Sequence, residues 1–151
     1  MSAEREKLYH DRLATAELPE VPGALAFLDA LGALGVPRVL ATSAVPVNVE
    51  AVMARLGLAG RFEAIVTAVD VTHGKPDPEI YRTAAARVGA DPARCLVVED
   101  ALPGVTAGKA AGAACLGLMT SESADRLHAV GADWAAPNFT ALPAHLSPGR
   151  P

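Results

Sequence analysis

Apolar residues along this chain follow two alternating rhythms. Short, largely apolar runs within residues 37–43, 64–67, 95–98 and 113–118 are separated by longer stretches in which apolar positions recur every three or four residues. A short apolar run bounded by turn residues reads as a strand covered on both faces, the kind found in parallel sheets. The longer stretches read as helices. In residues 21–35, Ala24, Leu25, Phe27, Leu28, Leu31 and Leu34 fall mostly on one face. Residues 49–58, 77–89, 103–111 and 123–130 follow the same rule, and residues 132–136 read as an edge strand. Asp77, Pro78 and Glu79 mark a helix start, with Asp77 as the cap, Pro78 at the first helical position and an acid in the first turn. Residues 1–20 carry Leu8, Tyr9, Leu13 and Leu18 in a weakly amphipathic pattern that stops before Pro19 and Pro22. Beyond Pro137 the pattern fades, with Phe139 and Leu142 expected to pack back on the body. Alternating strands and helices predict an α/β fold, a parallel sheet flanked by helices.

At 151 residues the chain is long enough for one domain with a substantial core. A hydrophobic share of 51% against 20% charged residues makes it globular rather than disordered. The net charge of −4 argues against a nucleic-acid or anionic-membrane surface. Cys95 and Cys115 both lie in apolar runs with no CxxC spacing, as expected of buried free thiols in a reducing compartment. No leader-like segment or uninterrupted apolar span stands out, so the expectation is a cytoplasmic protein with no membrane partner.

The stretch that carries chemistry is Leu96-Val97-Val98-Glu99-Asp100, an apolar run ending in two adjacent carboxylates. Neighbouring acids repel each other and are costly to bury without a compensating cation. A hard cation such as Mg²⁺, held by one or two carboxylates with waters and a phosphate, meets that need. A solvated acidic turn is the competing reading. Thr42 and Ser43 end a second apolar run, and Lys75 sits in the loop after a third. Ligands in open parallel sheets bind outside the carboxyl ends of the strands, so these groups converge on one rim. A hydroxyl, an ammonium and two acids are the parts a phosphoryl-transfer site needs. Singly, each also reads as a turn residue or surface charge. The four histidines, His10, His73, His128 and His145, are scattered without metal-ligand spacing.

In their order and spacing, Leu40-Ala41-Thr42-Ser43, Gly74-Lys75-Pro76-Asp77-Pro78 and Val98-Glu99-Asp100 followed by Pro103-Gly104 resemble the haloacid-dehalogenase-like hydrolase superfamily. The likeness is strongest to its β-phosphoglucomutase and sugar-phosphatase branch and covers roughly residues 20–137. It implies a three-layer Rossmann-like core over residues 21–143, with residues 1–20 as a remnant of a helical cap and 144–151 as a tail. It also implies Thr42, with Ser43, as the phosphate-binding hydroxyls and Lys75 as the cation steadying the phosphoryl group. Glu99 and Asp100 would hold Mg²⁺ directly or through water.

One departure matters. The superfamily's opening strand ends in Asp-x-Asp-x-Thr, which supplies the nucleophilic aspartate, and no such string occurs here. Asp11-Arg12-Leu13-Ala14-Thr15 has leucine in place of the second aspartate and no apolar run before it. In the family that strand lies mid-sheet, between the strands ending at Thr42 and Asp100. An absent central strand leaves facing rows of backbone groups, each costing about 1–3 kcal/mol if buried unpaired. Three outcomes are expected: the flanking strands close up, a neighbouring copy fills the gap as a homo-oligomer, or additional polypeptide precedes Met1. The leading functional expectation is a Mg²⁺-dependent phosphatase of small phosphorylated metabolites, working through an aspartyl-phosphate whose aspartate comes from outside this chain. A catalytically inactive binding or assembly module and a phosphomutase are the alternatives.

Overall fold

In the computed structural model, which describes residues 18–148, helices and strands alternate along these residues. Their order is α1 (Ala24–Ala33), β1 (Val39–Ala41), α2 (Pro46–Arg55), β2 (Ala64–Val66), α3 (Glu79–Arg87), β3 (Leu96–Glu99), α4 (Leu102–Ala110), β4 (Ala114–Leu118), α5 (Ala124–Ala129) and β5 (Trp134–Ala136). The predicted α/β class holds. The cap-remnant expectation for residues 1–20 lies almost wholly outside the described residues. Element ends shift by a few positions, each for a local reason. The second helix starts at Pro46 rather than Val49, because proline is pre-organised for the first helical turn. The helix after Lys75 starts at Glu79, yet Asp77 still caps it, its Oδ1 accepting the Glu79 amide at 2.9 Å.

All strand pairs are parallel. β3, β4 and β5 form one sheet in that order, and β1 pairs with β2 in another. Side chains alternate across the three-stranded sheet. Val97 and Cys115 pack under α4 and α5 with Val105 and Leu127. Leu116 and Leu118 face the other way, where Val98, Val21, Phe139, Leu142 and Leu146 cover them. The segment after Pro137 therefore closes a layer, with Phe139 and Leu142 packed back on the body as expected and Leu146 beside them. Phe27 of α1 joins that layer against Phe139, ring centroids 4.9 Å apart. On the other side α3 packs across β1 and β2 and reaches α4. Tyr81 of α3 touches the apolar clusters of both sheets.

The expected closure of β1 onto β3 does not occur. Among the described residues β1 pairs with β2 and β3 with β4, and a cleft of about 1190 Å³ separates the two sheets. The spacer is physical. α3 rests on β1 and β2 while touching α4, and the Lys75 ammonium reaches across to Glu99. Closing the cleft would break both contacts. Burial records the consequence: β4 is almost wholly buried, whereas β1 and α1 bury no residue fully and Leu96 of β3 is 37% exposed.

Candidate active site

The carboxyl ends of β1 and β3 and the loop after β2 meet at one rim of this cleft. Thr42, Ser43, Lys75, Glu99 and Asp100, the residues singled out from sequence, all line it. β1 delivers Thr42 because its pairing with β2 continues one residue past the strand, the Thr42 amide donating to the Val66 carbonyl at 2.9 Å. The Thr42 hydroxyl oxygen accepts the Ala44 amide at 3.1 Å, which orients the side chain and leaves its proton free to donate. Ser43, next along, is exposed at the rim.

Lys75 is placed by the start of α3. The Glu79 carboxylate accepts the amides of Thr72 and His73, each at 2.8 Å, and ties the loop down. Those two amide bonds hold the Glu79 carboxyl below its ordinary range. Asp77, Glu79 and His73 lie close enough together to suggest a cation site, but their oxygens and ring nitrogen serve the capping of this loop. His73 is exposed and does not line the cleft.

Glu99 sits at the centre of the rim, its side chain only 9% exposed. Its Oε1 accepts from the Lys75 ammonium and from the Tyr81 hydroxyl, the latter at 2.5 Å. Its Oε2 accepts the amides of Asp100 at 3.2 Å and Ala101 at 3.4 Å, at the N-terminus of α4 where the helix dipole favours an anion. The carboxylate folds back over Gly104, where a Cβ would collide with it. Lys75 also lies over the Tyr81 ring, 5.1 Å from its centroid, a cation–π contact. Burial, and then the Glu99 charge, push the Tyr81 phenol pKa up, so the hydroxyl stays a donor. Asp100 is exposed. Its Oδ2 accepts from Thr120 Oγ1 at 3.0 Å, and among the described residues Oδ1 accepts nothing.

A family model of haloacid dehalogenase-like hydrolases matches residues 2–112. The chain belongs to the haloacid dehalogenase-like hydrolases. Among curated relatives it is 36% identical over 128 residues to validoxylamine A 7′-phosphate phosphatase of Streptomyces hygroscopicus subsp. limoneus, covering 81% of this chain and 60% of that protein. It is 35% identical over 133 residues to hexitol phosphatase A of Escherichia coli, covering 86% and 60% respectively. The chain thus spans about 60% of the length of these relatives. A family IA hydrolase from Entamoeba histolytica superposes with a TM-score of 0.87 at 26% identity, over 95% of this chain and 66% of that one.

Three parts of this haloacid dehalogenase-like rim escaped the sequence reading. Tyr81 stands six residues beyond Lys75, in the first turn of α3. Thr120 and Ser121 follow the apolar run of β4, as Thr42 and Ser43 follow β1, and that shared signal was the available clue. Ser121 Oγ donates to the Asp100 carbonyl at 3.4 Å. Gly104 stands in the motif quoted above, and what escaped was its reason: it makes room for the Glu99 carboxylate. The donor set at Asp100 fits a hard divalent cation, since Mg²⁺ takes one or two carboxylates and keeps several waters. Asp100 offers an open oxygen for direct contact. Glu99, with both oxygens engaged, is within reach of a cation only through water or by giving up Lys75 or a backbone partner.

Proposed function

We propose that this rim is the phosphoryl-binding and cation-holding part of a phosphatase acting on small phosphorylated metabolites. One observation carries the reading: Lys75 and Glu99, 24 residues apart in sequence, pair at the mouth of a cleft that also holds Thr42 and Asp100. Thr42 donates its hydroxyl proton to one phosphoryl oxygen. Lys75 has three donors, of which Glu99 takes one, so its charge and a remaining donor face a second oxygen. Glu99 and Tyr81 hold the ammonium in place. Asp100, with Glu99 through water, would hold Mg²⁺, which supplies Lewis-acid stabilisation of the phosphoryl charge. The phosphatase names of the relatives support the reaction class, and the substrates in those names belong to those proteins.

Glu99 and Asp100 are the only carboxylates among the described residues lining the cleft. Glu99 is fully engaged, and Asp100 is assigned to the cation. Hydrolysis through an aspartyl-phosphate therefore requires an aspartate brought to the rim from outside these residues. The same observation favours a second reading, a binding module that holds phosphorylated ligands without turning them over.

Thermal denaturation with inorganic phosphate, with and without Mg²⁺, tests the site. Phosphate should raise Tm only when Mg²⁺ is present, and Lys75→Ala should abolish that rise. A rise independent of both would reject the assignment. The chain by itself should not hydrolyse an aryl phosphate; turnover would show that a carboxylate already in the rim serves as nucleophile.

A further inference from the structure

The two acids at the end of β3 are held in different ways. Glu99 accepts from four donors, Lys75, Tyr81 and the amides of Asp100 and Ala101, and its carboxylate cannot turn without losing them. Asp100 is exposed, and an exposed carboxylate rotates unless something fixes it. Its backbone is tied at both ends, the amide donating to Glu99 Oε2 and the carbonyl accepting the Ser121 hydroxyl. Its carboxylate is tied once. Thr120 Oγ1 donates to Oδ2 at 3.0 Å and is the one donor to that carboxylate among the described residues. A hydrogen bond to an ionised acceptor is a strong one, and a hydroxyl has a single proton to give.

Thr120 reaches this place from β4 as Thr42 reaches the rim from β1. The pairing of β4 with β5 runs to Leu118 and Ala136, and the Met119 amide extends it by donating to the Ala136 carbonyl at 2.9 Å. The next residue is thereby set at the carboxyl edge, and Thr120 lines the cleft with Glu99 and Asp100. A β-branched side chain is stiff at its first torsion, so placing the strand end also places the hydroxyl. The sheet does not need this contact. β3 and β4 complete their register from Leu96 with Ala114 to Glu99 with Gly117, before either side chain is reached.

Resting on the reading of Asp100 as the cation's direct contact, we propose that Thr120 is its positioning residue: the hydroxyl holds Oδ2 so that Oδ1 is presented to a divalent cation. A carboxylate already held from outside gives up less freedom when it takes up a cation. Outer partners of this kind are worth about 10–100-fold in metal affinity.

Mn²⁺ titration of the intact chain, followed in amide NMR spectra, tests this. Mn²⁺ shares the carboxylate-and-water preference of Mg²⁺ and, being paramagnetic, broadens amides near it. In the wild type the amides of Asp100, Ala101 and Thr120 should broaden first, and Asp100→Asn should abolish the effect. Thr120→Val keeps the shape but lacks the donor, and should raise the midpoint concentration at least about tenfold. Thr120→Ser restores a hydroxyl and should stay close to the wild-type midpoint. An unchanged midpoint in Thr120→Val, or one in Thr120→Ser as high as in Thr120→Val, would overturn the proposal while leaving the cation assignment standing. Loss of the native spectrum in Thr120→Val would do the same, by making the residue structural. Broadening that is absent or centred elsewhere in the wild type, or that survives Asp100→Asn, would overturn the cation reading and this proposal with it.

Discussion

Replacing Gly104 with alanine puts a methyl group where the Glu99 carboxylate lies. Gly104 is in the first turn of α4, whose backbone packs on β3 and β4, so the helix cannot back away without opening the core around Val105 and Val97. The carboxylate must move instead. It then loses Tyr81 and Lys75 as donors and the two amides at the start of α4. An unpaired buried hydroxyl costs about 1–3 kcal/mol. Lys75 and Glu99 are largely buried but border the open cleft, where both charges regain water once parted, so the lost pair adds only about 1 kcal/mol. Alanine's helix preference over glycine returns roughly 1 kcal/mol. The net loss is about 2 kcal/mol, or a fall in Tm of about 4–8 °C for a chain of this size. Urea and thermal denaturation followed by circular dichroism measure it. The same change in a Glu99→Ala background has no carboxylate to displace and should stabilise by about 0.5–1 kcal/mol. The two substitutions are in contact, so a coupling of this size lies within the observed range. If Gly104→Ala costs the same in both backgrounds, the glycine is not there to make room for Glu99, and the account of the rim fails.

Other perturbations probe separate parts of the molecule. Tyr81→Phe keeps the ring under Lys75 but removes the hydroxyl, and should cost about 1–2 kcal/mol in denaturation; no loss would mean that Glu99 does not need this donor. Asp133 accepts from the Lys109 ammonium and the Cys115 amide, which hold its carboxyl below the ordinary range. A depressed folded-state pKa contributes stability above the unfolded value near 4 that is lost as pH falls through the folded value. Asp133→Asn should therefore flatten the loss of Tm as pH falls below about 4, and an unchanged acid limb would contradict this. Burial pushes the Cys115 thiol up to about 11, so a thiol reagent at pH 8 should label half-buried Cys95 first and Cys115 only on unfolding. Labelling of both at equal rates in the native protein would contradict the packing of β4 under α4 and α5.

The α/β class and the order of its strands were legible in the sequence, because burial on both faces leaves continuous apolar runs and one-sided burial leaves a helical period. The membership of the rim was legible for a related reason. Residues just past the carboxyl ends of parallel strands must gather at one edge, and Thr42, Ser43, Lys75, Glu99 and Asp100 do so. What the tertiary structure alone decided was pairing. Whether Glu99 answers to Lys75 and Tyr81 or to a cation depends on how α3 sits across two sheets, and no local period records that distance. The open cleft is a fact of the same kind. β1 and β3 each carry the apolar pattern of a strand flanked on both sides, but a pattern reports the surroundings a strand is suited to, not whether a neighbour is present. The spacing is set by side chains from other elements, Lys75 against Glu99 and α3 against α4, holding the two sheets apart.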